Sequence, residues 1–303
     1  MFTTTDPACL TGLAIGDALG AWCETLSHDA KEFQTWDGRY REAPYQQCAA
    51  GESTDDAGMA QALAESLLEV DGYDREVAMR HYLKWFQGNP KGMGGTIRQA
   101  MGAFAKGGPY DGCGVHGAKG TGTVMRCAPI GVFFPKLTLD EVGSIARHDA
   151  DLTHVSEDAR DSSAFVAMMI AGILDHGQRL AAFHRARKRI SDGHLKEQLF
   201  ALGRHLPKAD AFRILGPDFK PGGAVETTVI ATGALLLTDT FEDALQAAIR
   251  AGGDTDTQAA IAGGMAGCFY GFERIPQWMT QGLVGYEQFR DLDVRLMAAR
   301  TAV

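Results

Sequence analysis

Two short tracts combine hydroxyls and carboxylates more densely than an ordinary helical protein requires. Ser53-Thr54-Asp55-Asp56 stands directly before an apolar-periodic run starting near Ala57. Gly252-Gly253-Asp254-Thr255-Asp256-Thr257 stands directly before another, which carries Ala259, Ile261 and Ala262. Capping explains either tract alone, because Thr and Asp at a helix N-terminus satisfy orphan N–H groups and suit the helix dipole. A cap needs one acceptor, however, and the tracts together offer Asp55, Asp56, Asp254 and Asp256 with the hydroxyls of Thr54 and Thr257. If they met in space, these carboxylates would repel strongly unless cations sat between them. An oxygen-only donor set without His or Cys favours Mg²⁺ or Mn²⁺ over zinc, with room for more than one ion. A pair of such ions holds a sugar diol and polarises a water for displacement.

Glycine-rich tracts supply a second signal. Gly12, Gly16 and Gly20 recur every fourth residue, which permits close helix packing; Asp17 is out of place on such a face, and Glu24 follows one or two turns on. Gly120-Thr121-Gly122-Thr123-Val124-Met125-Arg126 reads as a loop entering an apolar segment and ending in a cation. Its backbone N–H groups are suited to a diphosphate, although it is neither Gly-x-Gly-x-x-Gly nor a Walker loop, and a simple turn is the alternative. His154 precedes a long helical run, where a lone histidine is ordinarily a cap or a satisfied core residue. The other histidines lack metal-ligand spacing, and Arg185 to Arg189 reads as a solvated helix face.

The elements that must carry these residues are helical. Apolar positions recur at three- and four-residue intervals from Met59 to Leu68, and from about Arg75 to Trp85, Thr96 to Ala105, Asp158 to Leu174, Thr227 to Leu237, Phe241 to Arg250 and Gln258 to Phe269. Strand-like alternation is nearly lacking. Gly88 to Gly95 and Pro207 to Gly223 read as surface loops and not as linkers. The reading is a single compact all-α domain over residues 1–303. With 45% hydrophobic and 22% charged residues, the chain is not disordered in the main. Lys+Arg 29 against Asp+Glu 38 gives a net charge of −9, which argues against nucleic acid and anionic membrane as partners. The first thirty residues hold no Lys or Arg, and Leu10 to Leu19 is short and interrupted by Asp17, so neither a signal peptide nor a membrane span is expected. Six scattered cysteines without a Cys-x-x-Cys pair read as reduced thiols of a cytoplasmic protein.

In combination these tracts resemble the ADP-ribosylglycohydrolases. The resemblance runs from Gly12 to about Trp278 and takes in, in order, Gly16-Asp17-Ala18-Leu19-Gly20 with Glu24, Thr54-Asp55-Asp56, Gly120 to Pro129, Thr153-His154, and Gly252 to Thr257 with its Ala-rich helix and Ile275-Pro276. It implies an all-α, orthogonal helical domain with two Mg²⁺ or Mn²⁺ ions in a central cleft. By the same resemblance Thr54, Asp55, Asp56, Asp254, Asp256 and Thr257 are metal ligands, and Glu24, Asp55 and Asp256 form the catalytic set. Glu24 would be a gate or acid/base near the scissile ribose. Gly120, Thr121, Gly122 and Thr123 would lie under the ADP-ribose diphosphate, and His154 would line the cleft. The implied reaction is hydrolysis at ribose C1″, releasing ADP-ribose from a protein side chain or a small molecule, by a monomer. A non-catalytic ADP-ribose-binding or crystallin-like member, and a hydrolase of a smaller ribosyl compound, are the alternatives; four retained carboxylates speak against the first. The chain departs from the family's pattern at Thr121, where Asn is common, at Ala57, where Thr is common, and at Gly92 and Gly95, where arginine-specific members have Asp and Asn. A glycine can neither act as a general base nor bind a guanidinium, so these departures weaken an arginine acceptor without touching the metal site.

Overall fold

In the computed structural model, which describes residues 6–206 and 222–301, the chain is all-α. Most of the Pro207 to Gly223 loop lies outside the described residues. Helices α1 (Cys9–Gly20), α2 (Glu32–Thr35), α3 (Asp55–Val70), α4 (Arg75–Gln87) and α5 (Gly95–Ala105) come first. They are followed by α6 (Ala128–Phe133), α7 (Leu139–Ala150), α8 (Glu157–His176), α9 (Arg179–Arg187) and α10 (His194–His205). Beyond the undescribed segment lie α11 (Ala224–Leu237), α12 (Phe241–Arg250), α13 (Thr255–Tyr270), α14 (Gln277–Gly282) and α15 (Tyr286–Thr301). Among the described residues the sole sheet is a two-residue parallel pair, β1 (Val115–His116) with β2 (His154–Val155).

The centre is built from α1 and α13, both nearly buried all round, as expected of helices that are apolar or small on every face. They run antiparallel, with Gly12 against Gly263, Gly16 against Ala259 and Gly20 against Thr255. A Cβ on Gly16 would reach the Ala259 carbonyl carbon and oxygen, and one on Gly20 would lie 2.7 Å from the Asp256 Cα. The four-residue glycine spacing thus lets the two backbones touch, and it fixes the C-terminal end of α1 beside the N-terminal end of α13. Two helix starts are closed by carboxylates from other helices. Asp293 of α15 accepts from the Leu10 and Thr11 amides at 2.7 and 2.9 Å. Asp17 of α1 accepts from the Thr54 amide at 2.9 and 3.0 Å and from the Ala57 amide at 3.0 Å. These bonds answer the orphan donors of α1 and α3 and lock α1, α3 and α15 in register. All six cysteines are buried and none forms a disulfide among the described residues, and no described helix is long and apolar enough to cross a membrane.

Candidate metal centre and substrate cleft

The two acidic tracts meet. Oxygen atoms of Asp17, Asp56 and Asp256 lie within 4.8 Å of one another, and so do those of Glu24, Asp254 and Asp256. Asp256 belongs to both triplets and joins them into one oxygen-lined hollow between α1, α3 and α13. Capping does not account for the tracts: neither Thr54 nor Asp254, the residues at the two N-cap positions, makes a side-chain cap bond. For α3 that task falls to Asp17, which explains the carboxylate on an otherwise small-residue helix face. The tract side chains are thereby left free to face one another. The Thr54 hydroxyl donates to Asp56 Oδ2 at 3.2 Å, and Asp256 Oδ1 accepts from the Thr257 amide at 2.9 Å.

Asp55 lies outside both triplets and turns towards the glycine loop before α5. The Gly94 amide reaches its carboxylate, and a Cβ on Gly92 would lie 2.8 Å from Asp55 Oδ1. Gly92 also has φ +79°, so the Gly88 to Gly95 loop comes this close to Asp55 because residue 92 has no side chain. Around Gly95 there is open space.

The hollow crowds buried carboxylates together, and the amides on Asp17 and the Gln46 side chain only partly offset their charge. Burial pushes the Asp17 carboxyl up to about 6. Burial, reinforced by the Asp254 charge, pushes Glu24 up to about 7, and burial with the Asp17 charge does the same for Asp55, to about 7. Asp56 and Asp256 are pushed well above the carboxylate range, again by burial first and by neighbouring carboxylates second. Asp56 Oδ1 is buried without a hydrogen-bond partner. Buried acceptors, orphaned and crowded with like charges, are the surroundings a hard divalent cation relieves, and the donor set is oxygen only. The residues present therefore fit Mg²⁺ or Mn²⁺.

Gln46 was not a candidate from sequence. Its Nε2 donates to Glu24 Oε2 and, at 2.8 Å, to Asp256 Oδ2, so it ties the rim carboxylate to the shared one. It comes from a loop closed by the Ala43–Cys48 bridge, where a glutamine among polar residues carries no motif.

The glycine loop and His154 come together as well. A Cβ on Gly120 would lie 3.5 Å from His154 Nε2, and one on Gly122 would lie 2.8 Å from His154 Cε1 and 2.7 Å from Ile97 Cδ1. The loop is thus seated on His154 and on the first turn of α5. That turn follows Gly94, whose amide reaches Asp55, so the start of α5 meets the glycine loop on one side and a tract carboxylate on the other. Among the described residues, the amides of 120–123 donate to no protein acceptor. Burial, aided by the Arg126 charge, holds His154 down at about 3, so its ring is neutral. Two side chains of this segment point away from the loop's open side. Arg126 is fully buried and its guanidinium is spent on Asp149, Gly122 and Thr153, so it is not a cation presented to a phosphate. The Thr123 hydroxyl faces α8, bonded to the Ala159 carbonyl and Ser163, which leaves only the backbone of residue 123 for a ligand.

The chain has counterparts among known proteins. A protein of Archaeoglobus fulgidus is 30% identical over 95% of this chain and 94% of its own length. ADP-ribosyl-[dinitrogen reductase] glycohydrolase of Rhodospirillum rubrum is 26% identical over 89% and 87%, and human ADP-ribosylhydrolase ARH3 is 24% identical over 92% and 89%. A solved structure described as an ADP-ribosylglycohydrolase-related protein complex superposes with a TM-score of 0.78 at 29% identity, over 97% of both chains. The model of the ADP-ribosylglycohydrolase family matches residues 7–302, and the chain belongs to that family.

Proposed function

We propose that the protein is a metal-dependent hydrolase that cleaves the C1″ bond of an ADP-ribosyl conjugate and releases ADP-ribose. One observation carries the reading: two oxygen-only carboxylate triplets share Asp256, and the start of α5 meets both Asp55 and a glycine loop whose amides, among the described residues, lack protein partners. Thr54, Asp55, Asp56, Asp254, Asp256 and Thr257 would hold the two cations, which when bound grip the ribose hydroxyls and polarise a water. In the overall reaction the water oxygen bonds to C1″ as the bond from C1″ to the acceptor breaks; one water proton is taken by a base, and the departing acceptor atom is reprotonated. Glu24 would take that proton, a role its surroundings support. It is half-buried at the rim of the hollow, and Gln46 holds it against Asp256. The amides of Gly120, Thr121, Gly122 and Thr123 would receive the diphosphate, with His154 beneath them. This holds the ribose over the acidic hollow and supplies orientation.

The acceptor is a protein side chain or a small molecule. Gly92 and Gly95 leave the acceptor side without a carboxylate or amide of their own, which disfavours a guanidinium. The test is an assay of the purified protein with Mg²⁺ or Mn²⁺ against arginine-, serine- and small-molecule-linked ADP-ribose. Release of free ADP-ribose from one panel member identifies the class, and release from none refutes the reading.

A further inference from the structure

Beneath the glycine loop lies a buried polar network that the reaction outlined above does not use. Arg126, Asp149, Tyr82 and Thr153 are each fully buried, and His154 is 2% exposed. Arg126 Nε donates to Asp149 Oδ2 at 2.9 Å and Nη2 to the Asp149 carbonyl at 2.8 Å, while the Tyr82 hydroxyl donates to Asp149 Oδ1 at 2.8 Å. Both Nη1 protons leave this pair: one goes to the Gly122 carbonyl at 2.9 Å, the other to Thr153 Oγ1 at 2.8 Å. Thr153 Oγ1 in turn lies 2.9 Å from His154 Nδ1. A single cation therefore joins α7, the glycine loop and the residue preceding His154.

The proton count settles the direction of the last bond. Thr153 Oγ1 already accepts from a guanidinium, which cannot act as an acceptor. The hydroxyl keeps one proton of its own, and among the described residues its one neighbour able to take it is His154 Nδ1. The reverse arrangement, with Nδ1–H donating, would strand the hydroxyl proton in a fully buried place, which is costly. The nitrogen that is not held by the hydrogen bond carries the ring proton, and this nitrogen, Nε2, is the one that faces Gly120.

We propose that Arg126, acting through the Thr153 hydroxyl, is a positioning residue that fixes His154 as an Nε2–H donor on the floor of the glycine loop, aimed at an anionic oxygen of the ligand. Burial first, and the nearby guanidinium second, oppose protonation of the ring, so the donor is a neutral imidazole. That the donor serves an ADP-ribose oxygen rests on the function proposed above; the tautomer itself does not.

The test separates the two. Long-range ¹H–¹⁵N spectra of histidine-labelled protein near neutral pH report which His154 nitrogen is protonated. The Nε2–H form is expected in the wild type and in Thr153→Ser, which keeps the hydroxyl. Thr153→Val keeps the shape but removes the hydroxyl and is expected to lose that form in favour of Nδ1–H or a mixture, with its folding checked by a thermal melt. A wild-type Nδ1–H ring, or a Thr153→Val ring unchanged from wild type, overturns the inference. Calorimetric titration with ADP-ribose then addresses the ligand: about tenfold weaker binding is expected in Thr153→Val, with recovery in Thr153→Ser. If wild type does not bind ADP-ribose at all, the substrate reading fails while the tautomer result stands. Equal ADP-ribose affinity in wild type and Thr153→Val overturns the aim of the donor at the ligand.

Discussion

Asp256 stands in both oxygen triplets and also receives Gln46, so no other carboxylate in the hollow is shared so widely. Asp256→Asn keeps the shape and the ability to accept from Thr257 but removes the charge that two cations would share. Turnover is expected to fall by at least about a hundredfold, with the fold retained by circular dichroism; full activity would remove Asp256 from the centre. Asp55 is a more discriminating case, because it lies outside both triplets and leans on the Gly94 amide. Asp55→Ala is also expected to abolish hydrolysis, and an active variant would show that Asp55 only anchors the Gly88 to Gly95 loop. Glu24 is argued to move a proton and not to bind the nucleotide. Glu24→Gln, which preserves the contact with Gln46, is therefore expected to lower kcat by roughly 10²–10⁴ while leaving the ADP-ribose Kd in place. Unaltered kinetics would exclude it. Asp56, Asp254 and Asp256 were readable as a group because two tracts together offer more acceptors than caps need, and they do converge, whereas a role for Glu24 entered only through the family resemblance. Gln46 was not, since its role depends on a loop bringing it across to Glu24 and Asp256, and nothing in its neighbours along the chain announces that.

At the scale of elements, the site depends on how closely α1 and α13 approach. Gly16→Ala would drive a methyl group into the Ala259 backbone and is expected to cost roughly 1–3 kcal/mol. It should also weaken Mg²⁺ binding, because it moves Asp17 and Glu24 relative to Asp254 and Asp256. Gly102→Ala, in α5 with open space around the new methyl group, is the control and is expected to be neutral or slightly stabilising. If both variants melt alike, the close approach of α1 and α13 does not matter. The four-residue glycine spacing made this approach legible in advance, and the long periodic runs marked α4, α8, α11, α12 and α13 to within a few residues. The helix starts were less so. Asp17 reads in sequence only as out of place on a small-residue face, whereas it closes the start of α3, as Asp293 closes that of α1, both from far along the chain. Asp293 carries its own consequence. Burial raises its carboxyl to about 7, against an ordinary 3.8. The folded state thus holds this proton more tightly than the unfolded chain, and the resulting stability is full below about pH 4 and lost as pH rises through about 7. In saturating Mg²⁺, which would compensate the acidic hollow, Asp293→Asn is expected to flatten the decline of unfolding free energy between about pH 4 and 7 by up to a few kcal/mol. An unchanged slope would mean that Asp293 is not the titrating cap.

At the scale of the whole molecule, the hollow draws on segments near both ends of the chain: α1 and Glu24, the start of α3, and the start of α13. Composition and periodicity described the helices but could not say that these starts converge, because convergence is a property of the packing and not of any window of sequence. A cation held there binds the folded state and not the unfolded chain, in which the same carboxylates are far apart. Binding must therefore add RT ln(1 + [L]/Kd) to stability, about 2.7 kcal/mol at a hundred times Kd. For a chain of this size that corresponds to a rise of several degrees in Tm, at roughly 2–4 °C per kcal/mol. EDTA is accordingly expected to lower the melting temperature and abolish hydrolysis together, and excess Mg²⁺ or Mn²⁺ to restore both. Asp256→Asn should melt at nearly the same temperature with EDTA as with Mg²⁺, since it would lack the shared ligand through which an ion would link α13 to α1 and α3. A wild-type melting curve that responds to neither chelator nor metal would mean that the acidic segments meet without holding an ion, and the hydrolytic reading would lose its chemistry.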